Sequence, residues 1–233
     1  MKIQREDAAR TQGRLLKAAA EVFAVKGYRD ATIAEICARA QANTAAVNYH
    51  FGDKESLYRE AWRQSLKEAL RDHPPDGGVN ENAPPKERLK GQIKALLNRF
   101  SDENNKEFMI VQREMASPTG LLEHVIHEEI QPMQARLNLV IRELLGPDVS
   151  ETQVQFCEIS IFSQCVNPAV TNWGRGENAD KGNKPTSLND INDYIEHVIT
   201  FSLGGIRAVL DAKKSRKAES TKSLQKRSSS RRR

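Results

Sequence analysis

The chain has 233 residues, of which 38 % are hydrophobic, 29 % charged and 6 % aromatic, enough for one large domain or two small ones. No apolar run is long enough to span a bilayer, and the opening MKIQREDAAR lacks the apolar core of a secretory leader. Cys37, Cys157 and Cys165 are spaced like neither a disulfide framework nor a zinc ribbon, so a reduced, cytoplasmic protein with no membrane partner and no metal is expected. The net charge of +5 is unevenly placed. Residues 212–233 carry ten Lys or Arg and one Glu, the first 60 residues carry ten basic and eight acidic groups, and residues 61–211 sum to −6. Any polyanion is expected to meet the two ends of the chain.

Nearly every periodic segment is helical. Leu15, Leu16, Ala19, Val22 and Phe23 recur at three- and four-residue intervals, and Gly27 offers the left-handed stop. Thr32 and Glu35 have capping-box spacing and open a short helix with Ile33, Ile36, Cys37 and Ala40 on its apolar side. A third short helix is expected from about Asn43 to His50, with Val47 turned inward. Gly52 breaks it, and Asp53 caps a fourth carrying Leu57, Tyr58, Ala61, Trp62, Leu66 and Leu70.

Residues 73–85, dense in Pro, Gly and Asn, read as a long loop. Leu89, Ile93, Leu96, Leu97 and Phe100 then share a helical face, and Phe108, Val111 and Met115 share another that ends at Pro118. A longer stripe from Leu122 to Leu145 is interrupted at Pro132, where a kink is expected. Ser150 and Gln153 form a second capping box, ahead of Val154, Cys157, Ile161 and Cys165. Residues 171–187 read as a loop. The last helix holds Leu188, Ile191, Ile195, Val198, Gly205 and Val209, and residues 212–233 are expected to be disordered. No strand pattern survives, so the fold class is all-α.

Two short helices joined by a tight turn can set the second in the DNA major groove, whose width of about 12 Å admits one helix. Asn43, Thr44, Ala45, Ala46, Asn48 and Tyr49 would form its exposed end and face. Asn and Thr can read base edges, and Ala can touch a thymine methyl. Tyr49, His50 and Lys54 could bond phosphates, and the amides of the helix starting near Thr32 offer a further phosphate site.

The stretch Thr32 to Ala40, followed by Thr44 to Tyr58 with its Tyr-x-Phe-x-x-Lys-x-x-Leu ending, resembles the DNA-binding domain of the TetR family of bacterial repressors. The resemblance runs from Arg14 to Trp62. It implies a homodimer on a two-fold, double-stranded operator under small-molecule control, with base reading by Asn43 through Asn48 and phosphate contacts by Tyr49, His50 and Lys54. Gln41 stands where the family usually has a turn glycine. Arg113 to Thr119, His127 to Pro132, Leu144-Leu145-Gly146 and Ser163-Gln164-Cys165 are similar to the CecR-type C-terminal domain, which implies a sensor and dimerisation module.

The expected division is a three-helix helix-turn-helix head over residues 10–60, a helical sensing body over 61–211 that dimerises through a four-helix bundle, and the basic tail. Candidate effector contacts are Phe108, Arg113, Glu114, Met115, Met133, Gln164 and Cys165, with Arg113 and Glu114 as a polar anchor inside an apolar helix. Small residues at Ser202, Gly204, Gly205 and Ala208 suit a close helix seam between subunits. His124 and His127 lack a third strong ligand and read as a solvated face. No cofactor is implied, and no P-loop, G-x-S-x-G, G-x-G-x-x-G or H-E-x-x-H motif points to an enzyme. The alternative to a ligand-released repressor is an architectural DNA protein that uses the tail alone.

Overall fold

The computed structural model describes residues 2–173 and 191–230, and every regular element among them is an α-helix. In chain order these are α1 (Lys2–Asp30), α2 (Ile33–Ala40), α3 (Thr44–Phe51), α4 (Lys54–Asp72), α5 (Pro85–Ser101), α6 (Lys106–Ala116), α7 (Glu123–Leu145), α8 (Glu151–Trp173) and α9 (Ile191–Ser230). The helical run of α1 is broken at Gly27, whose φ of 73° is a conformation that only glycine adopts without strain. The expected stop is therefore real, with three more helical residues beyond it.

The chain divides into two compact units, one made of Met1–Pro75 with Asn98–Met133, the other of Asp76–Leu97 with Gln134–Arg233. The boundary differs from the simple head-and-body division expected from the sequence, because α6 belongs with the head. Leu15, Phe23, Ile36, Leu57, Tyr58, Trp62, Ile110 and Leu122 are buried in one core of the first unit. Burial of each large apolar side chain stabilises by about 1.5–3 kcal/mol. Arg113 Nε donates to the Ala24 carbonyl at 3.4 Å, and an Arg29 guanidinium nitrogen donates to that of Pro118 at 3.3 Å, stitching the end of α1 to α6 and the loop after it.

In the second unit α8 packs along α9, with Ile161, Cys165, Val198, Ile199 and Ile206 buried. Arg142 makes two 2.6 Å bonds to the Glu151 carboxylate, and Arg88 pairs with Glu143. The loop before α5 is held against it by two glycines. A Cβ on Gly77 (φ 63°) would run into the backbone of Gly91, and one on Gly91 would meet the Asp76 carbonyl and Val79.

Two expectations change. Helix α9 does not stop near Asp211 but runs through Ser230, where the sequence suggested disorder. Residues 212–230 contain neither Gly nor Pro, and twelve of the 19 are Lys, Arg, Ala, Glu, Gln or Leu, all good helix formers. α7 runs from Glu123 to Leu145 with Pro132, the expected kink position, inside it. α8 extends to Trp173 with Pro168 inside it, and the rest of the loop expected over 171–187, with Leu188, lies outside the described residues.

Candidate nucleic-acid interface

The turn between α2 and α3 is closed by its own backbone. Gln41 N–H donates to Ala38 at 3.2 Å and Ala42 N–H to Cys37 at 2.9 Å, the paired bonds of a Schellman ending. That ending needs a left-handed residue, and Gln41 takes it at φ 50°, the one non-glycine with positive φ among the described residues. The strain is about 1 kcal/mol. The buried Cys37 thiol reaches across to the Asn43 carbonyl at 3.6 Å, and burial pushes its ionisation up. Cys37 therefore helps to hold the turn and is poorly placed for redox chemistry.

Each helix around the turn starts on a side-chain oxygen. Thr32 accepts from Glu35 N–H at 3.2 Å, Asn43 from Ala46 N–H at 2.9 Å and Asp53 from Ser56 N–H at 2.7 Å. The Ser56 bond keeps the Asp53 carboxyl below its ordinary range. The reciprocal arm of the expected capping box has another use, since the Glu35 carboxylate accepts from Lys26 Nζ at 2.7 Å.

Val47 is buried and fixes the rotation of α3. Thr44, Ala45, Asn48 and Tyr49 then lie together on the solvent side, and Tyr49 is 79 % exposed. These are positions i, i+1, i+4 and i+5 of a helix, one continuous face. An exposed aromatic and two polar side chains on a short, capped, pre-formed helix suit groove reading. Asn43 is exposed at the end of the helix with its side-chain oxygen occupied as a cap, whereas Ala46 departs from the expectation and packs partly against the core. His50 is half-buried, its ring 4.9 Å from that of Tyr49.

Lys54 begins α4 just beyond α3, and its Nζ stands 4.4 Å above the ring of Tyr28. Tyr28 in turn lies 5.1 Å from Tyr58 and 6.4 Å from Phe23, centroid to centroid. Partial burial draws the Lys54 ammonium down from its ordinary value. The aromatic base holds the charge near the C-terminal end of α3. Tyr28 gave no sequence signal, because its contact with Lys54 depends on the break at Gly27 just before it.

The candidate effector residues fall in both compact units. Phe108 is buried on Phe100, with ring centroids 4.9 Å apart, and Met133 receives a contact from Arg99 at 3.7 Å. Met115 is 69 % exposed. Glu114 is occupied by the fold, accepting from the Tyr58 hydroxyl, from Thr119 N–H and hydroxyl and from Gly120 N–H. Gln164 and Cys165 belong to the second unit, where burial pushes the Cys165 thiol up to about 12. The sequence missed a buried polar group in the first unit. Arg99 and Glu107 are about 5 % and 4 % exposed, and Asn105 donates to the Arg99 carbonyl at 2.8 Å. Burial raises the Glu107 carboxyl and lowers Arg99, each partly offset by the other.

Comparison with known proteins agrees with this geometry. Residues 15–61 match the family model of bacterial regulatory proteins, tetR family, and residues 85–206 match that of the C-terminal domain of the HTH-type transcriptional dual regulator CecR. The chain is similar to CecR of Shigella flexneri, at 31 % identity over 154 residues, 60 % of this chain and 67 % of that protein. It is also similar to the HTH-type transcriptional repressor NicS of Pseudomonas putida, at 36 % identity over 56 residues, covering 24 % and 26 %. A transcriptional regulator from Rhodococcus sp. RHA1 has the same fold, with a TM-score of 0.61 at 19 % identity over 84 % of this chain and 95 % of that one. So does AibR, solved with isovaleryl coenzyme A and operator DNA, with a TM-score of 0.62 at 17 % identity over 82 % and 97 %. The chain belongs to the TetR family of bacterial transcription regulators and carries a CecR-type C-terminal domain.

Proposed function

We propose that the protein is a homodimeric repressor that leaves a palindromic operator when a small organic molecule binds. The observation that carries the reading is the single exposed face of Thr44, Ala45, Asn48 and Tyr49, with Lys54 fixed beside it on Tyr28. Thr44 and Asn48 would read base edges, Ala45 would meet a thymine methyl, and Tyr49, His50 and Lys54 would take phosphates. Two such heads in a symmetric dimer would enter successive major grooves about 34 Å apart.

The subunit seam in this reading is formed by α8 and α9. Phe156, Ile159 and Phe162 on α8 and Phe201 on α9 are exposed apolar side chains in this chain, and open space surrounds Gly204 and Gly205. Covering that face with its two-fold copy buries aromatic surface on both sides, as a stable interface of more than about 1,000 Å² requires.

Release follows from a shift of population. An effector acts only if it binds better to the state whose heads are wrongly spaced. α6 packs on both α1 and α4 within the first unit, and Arg113 and Glu114 bond to residues of those helices. A displaced α6 would carry the head with it. The test is selection of bound fragments from the chromosome, followed by titration of the selected site with the native protein. Enrichment of one palindromic site supports the reading; equal retention of all fragments opposes it.

A further inference from the structure

Helix α9 outruns its support. Gln153, in the first turn of α8, and Val209 line the same cavity of about 280 Å³, so α9 is level with the start of α8 by that point. Through Ser215, where the described side chains of α9 end, Ile206 is the last buried one, and the helix continues through Ser230. Residues 212–230 therefore form an overhang of roughly 28 Å at 1.5 Å per residue.

The chemistry of the overhang is one-sided. It carries Lys213, Lys214, Arg216, Lys217, Lys222, Lys226 and Arg227 against Glu219, and Arg231 to Arg233 follow. The apolar residues, Ala212, Ala218 and Leu224, are six apart in sequence, off the three- and four-residue spacing of an apolar stripe. A membrane-surface helix or a helix-in-groove ligand needs such a stripe. Lys213 with Lys217, and Lys222 with Lys226, are like-charge pairs four apart that oppose the helix until something neutralises them. A duplex, with one negative charge per roughly 1.7 Å of axis, can do so along the length of the stretch.

We infer that residues 212–233 are a second, sequence-independent DNA-binding element, a basic arm that engages duplex phosphates apart from the operator contacts of α3. The inference rests on the reading of the protein as a DNA-binding regulator. It assigns the arm to affinity and search, and α3 to selectivity.

The test uses three proteins: the full chain, a truncation after Asp211, and a full-length variant with all ten tail Lys and Arg changed to Gln. Each is titrated by fluorescence anisotropy against the selected operator and a random duplex between 50 and 200 mM salt. Each phosphate neutralised adds about 0.9 to the steepness of log K against log salt, so both altered proteins should lose several units of slope on random DNA. Their random-DNA affinity at the low-salt end should fall at least about tenfold, while preference for the operator is kept. Unchanged slope and affinity in both overturn the inference. So does tail-dependent capture by phosphatidylserine vesicles with no tail effect on DNA. Tyr49→Ala reports separately on the underlying reading: lost operator preference supports it, and full preference contradicts it, whatever the tail does.

Discussion

The hydroxyl of Tyr58, on α4, donates to Oε2 of Glu114, on α6, at 3.1 Å. The other carboxylate oxygen accepts the Thr119 N–H at 2.7 Å and the Gly120 N–H at 2.9 Å. One side chain thus closes the loop after α6 and pins it to the helix that follows the reading head. Burial, with Glu114 alongside, holds the Tyr58 hydroxyl above its ordinary ionisation range, so it remains a neutral donor. Glu114→Ala would leave that buried hydroxyl and two backbone donors without their partner, at a cost of about 2–3 kcal/mol. Tyr58→Phe removes a single bond and should cost about 1 kcal/mol. Urea unfolding with unchanged m values measures both, and native stability in Glu114→Ala would contradict the role.

The turn offers a change in the opposite direction. Gln41 holds a left-handed backbone at φ 50° that glycine adopts freely. Gln41→Gly should stabilise by about 0.5–1 kcal/mol, and Gln41→Val, β-branched, should destabilise by at least about 1 kcal/mol. Thermal unfolding of the pair decides it. Equal midpoints would mean that the turn relaxes on substitution.

The local signals of this head were legible in its sequence. Thr32, Asn43 and Asp53 cap the helices they precede, Gly27 breaks α1, and Val47 turns inward, because caps and periodicity act within a few residues. The same locality explains what was missed. The Tyr58–Glu114 bond spans 56 residues, and a charged pair such as Arg113–Glu114 looks like a ligand anchor until its partners are known. Tyr28 under Lys54, Gly77 against Gly91 and the buried Arg99–Glu107 group are likewise products of tertiary packing. At the tail a polar, charged composition suggests disorder, whereas helix continues through Ser230 with neither Gly nor Pro to interrupt it.

Glu107 gives the protein a pH dependence of definite sign. Burial raises its carboxyl in the folded state, so the folded chain keeps a proton that the unfolded chain releases near about pH 4.3. Stability should therefore fall as pH rises from that value through the raised folded value, by up to about 1.4 kcal/mol per pH unit. Glu107→Gln removes this decline, and its stability relative to the native protein should climb across the window. Asp53 acts oppositely, its contribution being present above its unfolded value of about 3.9 and lost as pH falls through the lowered folded one. Parallel pH profiles for Glu107→Gln and the native chain would contradict the first statement.

The seam on α8 and α9 predicts a dimer whose stability depends on aromatic anchors. Phe156→Asp or Phe201→Asp should raise the dimer dissociation constant at least about a hundredfold, since a buried aromatic hot spot contributes 2 kcal/mol or more and a carboxylate adds desolvation. Gly205→Leu should weaken it less. Light scattering at micromolar concentration separates the cases. Monomeric native protein, or dimeric Phe156→Asp and Phe201→Asp, would remove α8 and α9 from the interface.

The base-reading assignment of α3 has the sharpest test. Mobility-shift titration on the selected operator and its single-base variants should show Thr44→Ala and Asn48→Ala changing base preference by about 1–3 kcal/mol at particular positions. Tyr49→Ala and Lys54→Ala should weaken binding to every variant alike, because phosphate contacts carry no sequence information. Helical content should be unchanged in all four. Native affinity and native preference in these folded variants would contradict the claim that the exposed face of α3, with Lys54 beside it, is the surface that meets DNA.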